Sequence, residues 1–281
     1  MTAPAARSPT TPYGPLIETR VRVVTWNLWG RLGDWQARAG PIARTLRHLA
    51  PDLVCLQEVW QEGDRNQAAV LAEELGMEHA FAADRTEDGI DQGVAVLSRW
   101  PLAEVERRAL PVPTGVPRRT VALRTVVEGP RGAILLATTH LVPYPPRSGD
   151  RERQVHALVE FLAERHRQPP LTVLCGDFNA TPGSDEIRLL TGLRPPAAAG
   201  WTFLDAWETA GDGSPGYTMA KTNPNTAPLL LPNLRWDYIF VSWPSGPGGA
   251  GHPVHAEVAG VDATAGVVPS DHYAVVAELR Y

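Results

Sequence analysis

Eight polar side chains in this chain of 281 residues share one setting. Asn27, Glu58, His140, Asp177, Asn179, Asp237, Asp271 and His272 each stand beside an apolar, strand-like run, next to Gly, Thr, Ser or another polar residue. One Asp or Asn at a strand end is ordinarily a turn former; eight such placements are not explained by turn formation. Together they suit hydrolysis of a phosphate ester. Glu58 and Asp271 supply the oxygen ligands that a hard divalent cation takes. Asp177 can orient and deprotonate a water. Asn27, Asn179 and an imidazolium can donate to the charge that collects on phosphoryl oxygens. Asp237 is available to hold His272 in one tautomer.

The elements that must carry these groups are legible around them. Leu171 to Leu174 is an apolar run of strand length, and Ala180-Thr181-Pro182-Gly183 breaks the chain after it. Period-2 alternation predicts Asp177 and Asn179 on one face of that strand end and Phe178 on the other. Arg20 to Trp26 alternates and ends at Asn27 before Gly30; Leu53 to Leu56 ends in Gln57-Glu58; Gly132 to Thr139 ends at His140. Asp237 lies near the start of a strand over Leu234 to Val241, and Asp271-His272 precedes one over Ala274 to Leu279. Further strands are expected over Gln92 to Ser98, near 254–260, and as a pair, Leu102 to Leu110 with Arg119 to Val127, joined by the Pro-rich loop 111–117.

Four helices fit the remaining periodicity. One covers Pro41 to Leu49 with Pro41 in its first turn; one is capped by Asp64 and closed by Gly76 after Leu75; a short one runs from Ser184 to Leu190. The longest starts at Ser148 or Asp150, ends about His166, and carries a stripe of Val155, Leu158, Val159 and Leu162 with Arg151, Arg153 and Glu160 facing away. Many strands and few helices imply an α/β protein of antiparallel-dominated sheets with outer helices, in one domain.

Composition sets limits. Apolar residues make up 43% and charged residues 20%, as in an ordinary soluble globular protein. The net charge of −5 and the lack of a basic stripe do not favour a nucleic-acid or anionic-membrane partner, though a metal-centred site can still engage phosphates. Cys55 and Cys175 sit in apolar runs and read as reduced core thiols. Met1 to Pro15 has no apolar leader segment and no transmembrane segment is evident, so the expectation is a disordered lead-in over 1–18 on a cytoplasmic protein, followed by the catalytic domain at 19–281. No protein partner can be inferred. His48, His79, His156, His166, His252 and His255 have no chemical context and read as structural. Trp26 belongs in the core, whereas Trp29, Trp35, Trp60 and Trp100 cannot be placed. Arg107-Arg108 and Arg118-Arg119 read as a solvated face. The irregular stretch 211–233 is the candidate for substrate recognition, with Asn223 and Asn225 as donors.

Six blocks in order, Thr25-Trp26-Asn27, Leu56-Gln57-Glu58-Val59, Thr139-His140-Leu141, Gly176-Asp177-Phe178-Asn179, Trp236-Asp237-Tyr238-Ile239-Phe240 and Ser270-Asp271-His272-Tyr273, resemble the endonuclease/exonuclease/phosphatase superfamily, which includes deoxyribonuclease I, abasic-site endonucleases and neutral sphingomyelinases. The resemblance implies a four-layer α/β/β/α sandwich of two packed, mostly antiparallel sheets, with the site at one end. It implies Mg²⁺ (or Mn²⁺ in its place) on Glu58 with Asn27 and Asp271 nearby, water positioned by Asp177, phosphate contacts from Asn179 and His140, and an Asp237–His272 pair that stabilises or protonates. The function implied is Mg²⁺-dependent hydrolysis of a phosphoester, foremost a phosphodiester, on a small molecule, lipid or nucleic acid; a DNA or RNA nuclease and a non-catalytic scaffold on the same fold are the alternatives. Trp236 departs from the aliphatic residue common in the family, and Trp60 from the basic residue that some nucleases place there.

Overall fold

In the computed structural model, which describes residues 12–113, 120–143, 145–164, 171–244, 246–263 and 266–281, successive residues of the inner strands feed different cores. The strands in chain order are β1 (Arg20–Asn27), β2 (Leu53–Glu62), β3 (Arg65–Asn66), β4 (Glu78–Glu87), β5 (Ile90–Ser98), β6 (Leu102–Leu110) and β7 (Thr120–Gly129). They continue with β8 (Gly132–His140), β9 (Thr172–Asp177), β10 (Phe203–Asp205), β11 (Asp237–Ser242), β12 (Pro253–Ala259) and β13 (Ala274–Arg280). The α-helices are α1 (Trp35–Leu49), α2 (Gln67–Leu75), α3 (Ser148–Ala163), α4 (Asp185–Leu190) and α5 (Ala206–Ala210).

One sheet runs β12-β13-β1-β2-β5-β4, with β3 on β2, and the other β10-β11-β9-β8-β7-β6. Val21 and Val23 of β1, Cys55 of β2, Cys175 of β9 and Ile239 of β11 meet in the core between the sheets. Their neighbours Val24, Trp26, Val54 and Leu56 turn outward, where they form a core with Ile42 and Leu46 of α1 and Leu71 of α2. Leu174, Tyr238 and Phe240 turn outward from the second sheet onto Val155, Leu158 and Leu162 of α3. Three cores between four layers give the α/β/β/α sandwich. Strands buried on both faces read as unbroken apolar runs, and so the alternation was faint in the sequence. The sheets are mixed rather than purely antiparallel: β1 pairs parallel with β2, and β8 with β9. Each parallel pair is joined by a helical crossover, α1 or α3, as parallel strands require.

That pairing concentrates the polar groups. Parallel pairs bring the C-terminal ends of β1, β8 and β9 to one edge. Antiparallel partners bring the starts of β11 and β13 to the same edge, with Asp237 opposite Asp177.

Several elements differ from expectation. Helix α1 begins at Trp35, because the Asp34 side chain caps it by accepting from Ala37 N at 3.2 Å; Pro41 then falls inside the helix, not in its first turn. Asn66 rather than Asp64 caps α2, accepting from Ala69 N at 3.1 Å. The edge strand β4 was not expected, since its Glu-His-Ala-Phe-Ala-Ala-Asp-Arg sequence buries few side chains and shows little apolar period. Arg151 does not face away: it is 3% exposed and ties α3 to α4 through Nε to Glu186 Oε1 at 2.6 Å. The lead-in is docked from Tyr13 onward, where Gly248 N donates to Tyr13 O and Ile17 N to Gly248 O. Residues 1–11, Arg118-Arg119 and His166 lie outside the described residues. No helix among the described residues is long and apolar enough to cross a membrane.

Candidate active site

Three local features aim the side chains. In β9, a Cβ on Gly176 would lie 2.2 Å from Thr139 O, so only glycine lets β8 approach and set His140 opposite Asp177. The β9 alternation stops at Asp177. Asn179 then adopts φ +49°, a left-handed conformation that Asn tolerates, and its backbone N donates to Asp177 Oδ1 at 2.9 Å. An Asx turn, not strand pleat, therefore sets Asn179 beside Asp177, while Phe178 enters the outer core as expected. In β2, the register against β5 shifts between Leu56 and Val59, and Glu58 in the bulge has φ +54°. A bulge of this kind re-aims a side chain beside an active site.

The eight groups converge. Asn27 Nδ2 donates to Asp177 Oδ2 at 3.0 Å and reaches Glu58 Oε1 at 3.4 Å. His140 Nε2 is 3.3 Å from Asp177 Oδ2 and its Nδ1 is 3.9 Å from Glu58 Oε1. His272 Nδ1 lies 2.8 Å from Asp237 Oδ2, and its Nε2 lies 3.8 Å from Asp177 Oδ2. Trp236 flanks the His272 ring at 6.4 Å. Asn179 Nδ2 donates to Leu141 O at 3.1 Å. One orientation departs from expectation. Trp29 N donates to Asn27 Oδ1 at 2.9 Å, so the Asn27 amide presents nitrogen, not a ligand oxygen, to Glu58 and Asp177.

Burial sets the electrostatics. It raises the Asp177 carboxyl to about 7, helped by the charge of Asp237 and opposed by His272, Asn179 N–H and the Asn27 amide. Asp271 rises to about 6, again through burial, with Glu58's charge adding to it and His272 opposing. For His272, burial favours the neutral ring, but Asp237, Asp271 and Asp177 outweigh it and hold the imidazolium well above its ordinary range. An acid–base group near neutrality thus sits beside a fixed positive charge.

Asn223 and Asn225 stand elsewhere than expected. Asn223 is fully buried and its Nδ2 donates to Ser270 O at 2.9 Å and Asp271 O at 3.0 Å; Asn225 Nδ2 also turns to Ser270 O. Both hold the backbone that carries Asp271 instead of facing a ligand. Arg38, unremarked in the sequence, does the same from α1. Its guanidinium donates to Leu28 O at 2.7 Å, Gly30 O at 3.0 Å, Leu32 O at 2.8 Å and, across the fold, Pro269 O at 2.9 Å. No local pattern announces an arginine that bridges two loops so far apart in sequence. The Arg38→Met variant leaves those buried carbonyls unpaired and is expected to lose about 3 kcal/mol of stability. Arg38→Lys should recover little, since an ammonium cannot span both loops. Urea unfolding measures both, and wild-type stability in Arg38→Met would remove the bridging role.

The sequence matches the endonuclease/exonuclease/phosphatase family over residues 24–272. The chain belongs to that family. That family is one of metal-dependent phosphoesterases. Protein angel homolog 2 of Mus musculus is 32% identical over 167 residues, covering 53% of this chain and 30% of its own length. A probable RNA exonuclease of Schizosaccharomyces pombe is 28% identical over 192 residues, covering 64% of this chain and 38% of its own. The chain thus spans about a third of the length of these curated relatives. In the structure of D. rerio TDP2 with a single-strand DNA product, the same fold superposes with a TM-score of 0.72 at 21% identity, covering 94% of this chain and 100% of that one.

Proposed function

We propose that this family member is a Mg²⁺-dependent phosphodiesterase that cleaves its substrate with a water deprotonated by Asp177. The observation that carries the reading is the setting of Asp177, a fully buried carboxylate raised to about 7 within reach of two histidines and an asparagine amide. A general base works best when its pKa lies near the working pH.

The donor set fits a hard cation. Glu58 and Asp271 are near enough for the charge of one to raise the carboxyl of the other, a repulsion that a divalent cation relieves. Asp177, Asp237 and His272 also lie within 4.8 Å of one another. That trio holds an imidazolium hydrogen-bonded to Asp237, which competes with a cation, so Glu58 and Asp271 are the assigned ligands. A cation held by Glu58 and Asp271 would supply charge neutralisation at the phosphoryl oxygens. Asn27 bridges the carboxylates of Glu58 and Asp177, and His140 and Asn179 border the phosphate position from β8 and the β9 turn. His272, oriented by Asp237, sets its positive charge against the developing negative charge.

The relative named as an RNA exonuclease and the TDP2 complex with a DNA product favour a nucleic-acid phosphodiester, against a net charge of −5. The test is turnover of single-stranded RNA and DNA, phospholipids and nucleotide diesters by wild type and Glu58→Ala with Mg²⁺ or Mn²⁺. Products should appear with wild type and fall by at least about a hundredfold with Glu58→Ala. Equal turnover by the two would take Glu58 out of the cation site.

A further inference from the structure

Glu58 has a neighbour on the adjacent strand that no motif marks. Gln92 of β5 donates through Nε2 to Glu58 Oε2 at 2.9 Å, and Arg85 of β4 donates through Nη2 to Gln92 Oε1. A guanidinium has no acceptor, so Gln92 must turn its oxygen to Arg85 and its NH₂ to Glu58. The amide orientation is therefore fixed by chemistry. Gln92 is 8% exposed, and it is enclosed from a third side. A Cβ on Gly30, at φ +44°, would lie 3.1 Å from Gln92 Nε2, so the loop that follows Asn27 packs directly on the amide.

The arrangement complements the bulge. At φ +54°, Glu58 leaves the regular pleat, and cross-strand pairing no longer dictates its direction. Its Oε1 faces Asn27 and His140, while Oε2 is held by Gln92. A neutral donor fixes the carboxylate without the extra positive charge that would compete with a cation. We propose that Gln92, anchored by Arg85, is the positioning residue that sets the rotation of the Glu58 carboxylate and hence its affinity for a divalent cation. This role rests on Glu58 holding that cation.

Mn²⁺ binding without substrate, by calorimetry or electron paramagnetic resonance, tests it separately from turnover. Gln92→Leu should bind Mn²⁺ about 10–100-fold more weakly, the range for lost partners of metal ligands. Its kcat at saturating Mn²⁺ and its metal-free melting temperature should stay near wild type. Arg85→Leu, which leaves the amide in place but unanchored, should weaken binding by a smaller factor. Mn²⁺ affinity within twofold of wild type in Gln92→Leu, with binding lost in Glu58→Ala, overturns the Gln92 role alone. Wild-type affinity in Glu58→Ala, or no Mn²⁺ binding by wild type, overturns the Glu58 assignment and the Gln92 role with it.

Discussion

The Asp177→Asn variant is expected to lose about 10³-fold in kcat, within the range for removal of a general base. Asparagine keeps the shape and can still accept the Asn179 N–H that Oδ1 receives at 2.9 Å. It cannot accept the proton of an attacking water. Its NH₂ would also meet Asn27 Nδ2, a donor against a donor where Asp177 now accepts. The fold should survive, because burial already holds this carboxyl up to about 7 and a neutral group relieves that cost. Single-turnover kinetics beside a thermal melt separate the two effects. A variant with activity within tenfold of wild type would exclude Asp177 as the base. A variant that lost activity together with its fold would point to a structural carboxylate.

Much of this arrangement could be read from the sequence, and the exceptions have physical causes. Asp237 and His272 were paired on chemistry alone, and they lie at 2.8 Å. The four-layer fold followed from the resemblance, while the strand ends followed from apolar runs closed by Gly, Pro or polar groups. Asn179 departs from the alternation, and its amide donates to Leu141 O. Alternation assumed a continuing strand, but a left-handed Asx turn does the work. The Glu58 bulge was invisible because period-2 patterning carries no mark of an extra residue. Arg38 and Gln92 act through contacts to Pro269 and Glu58, which are remote in sequence and set by how the loops and strands pack. Asn223 looked like a ligand donor because a long polar loop normally faces solvent, yet this one folds its amide inward to hold Ser270 and Asp271.

The melting temperature of the metal-free protein should fall as pH rises from about 5 to about 8, on the order of 10 °C, and be restored by Mg²⁺. The carboxyls of Asp177 and Asp271 are raised from 3.8 to about 7 and about 6, so the folded state binds their protons more tightly than the unfolded chain does. Their contribution is fully present below about pH 4 and is lost as pH climbs through about 6 and then about 7. His272 works in the same sense. Its pKa is raised above 6.5, so its contribution is present below that value and fades as pH passes the raised one. A cation held by Glu58 and Asp271 would bind only the ionised folded site, so Mg²⁺ should stabilise most where the metal-free protein is weakest. Scanning calorimetry in chelator and in Mg²⁺ across that range measures both arms. Asp177→Asn supplies the control, because removing the largest titration should flatten the chelator curve. A wild-type melting temperature that held steady or rose toward pH 8 in chelator would mean that these carboxyls ionise in the fold without cost, and Asp177 would then lack the poise that its role as base requires.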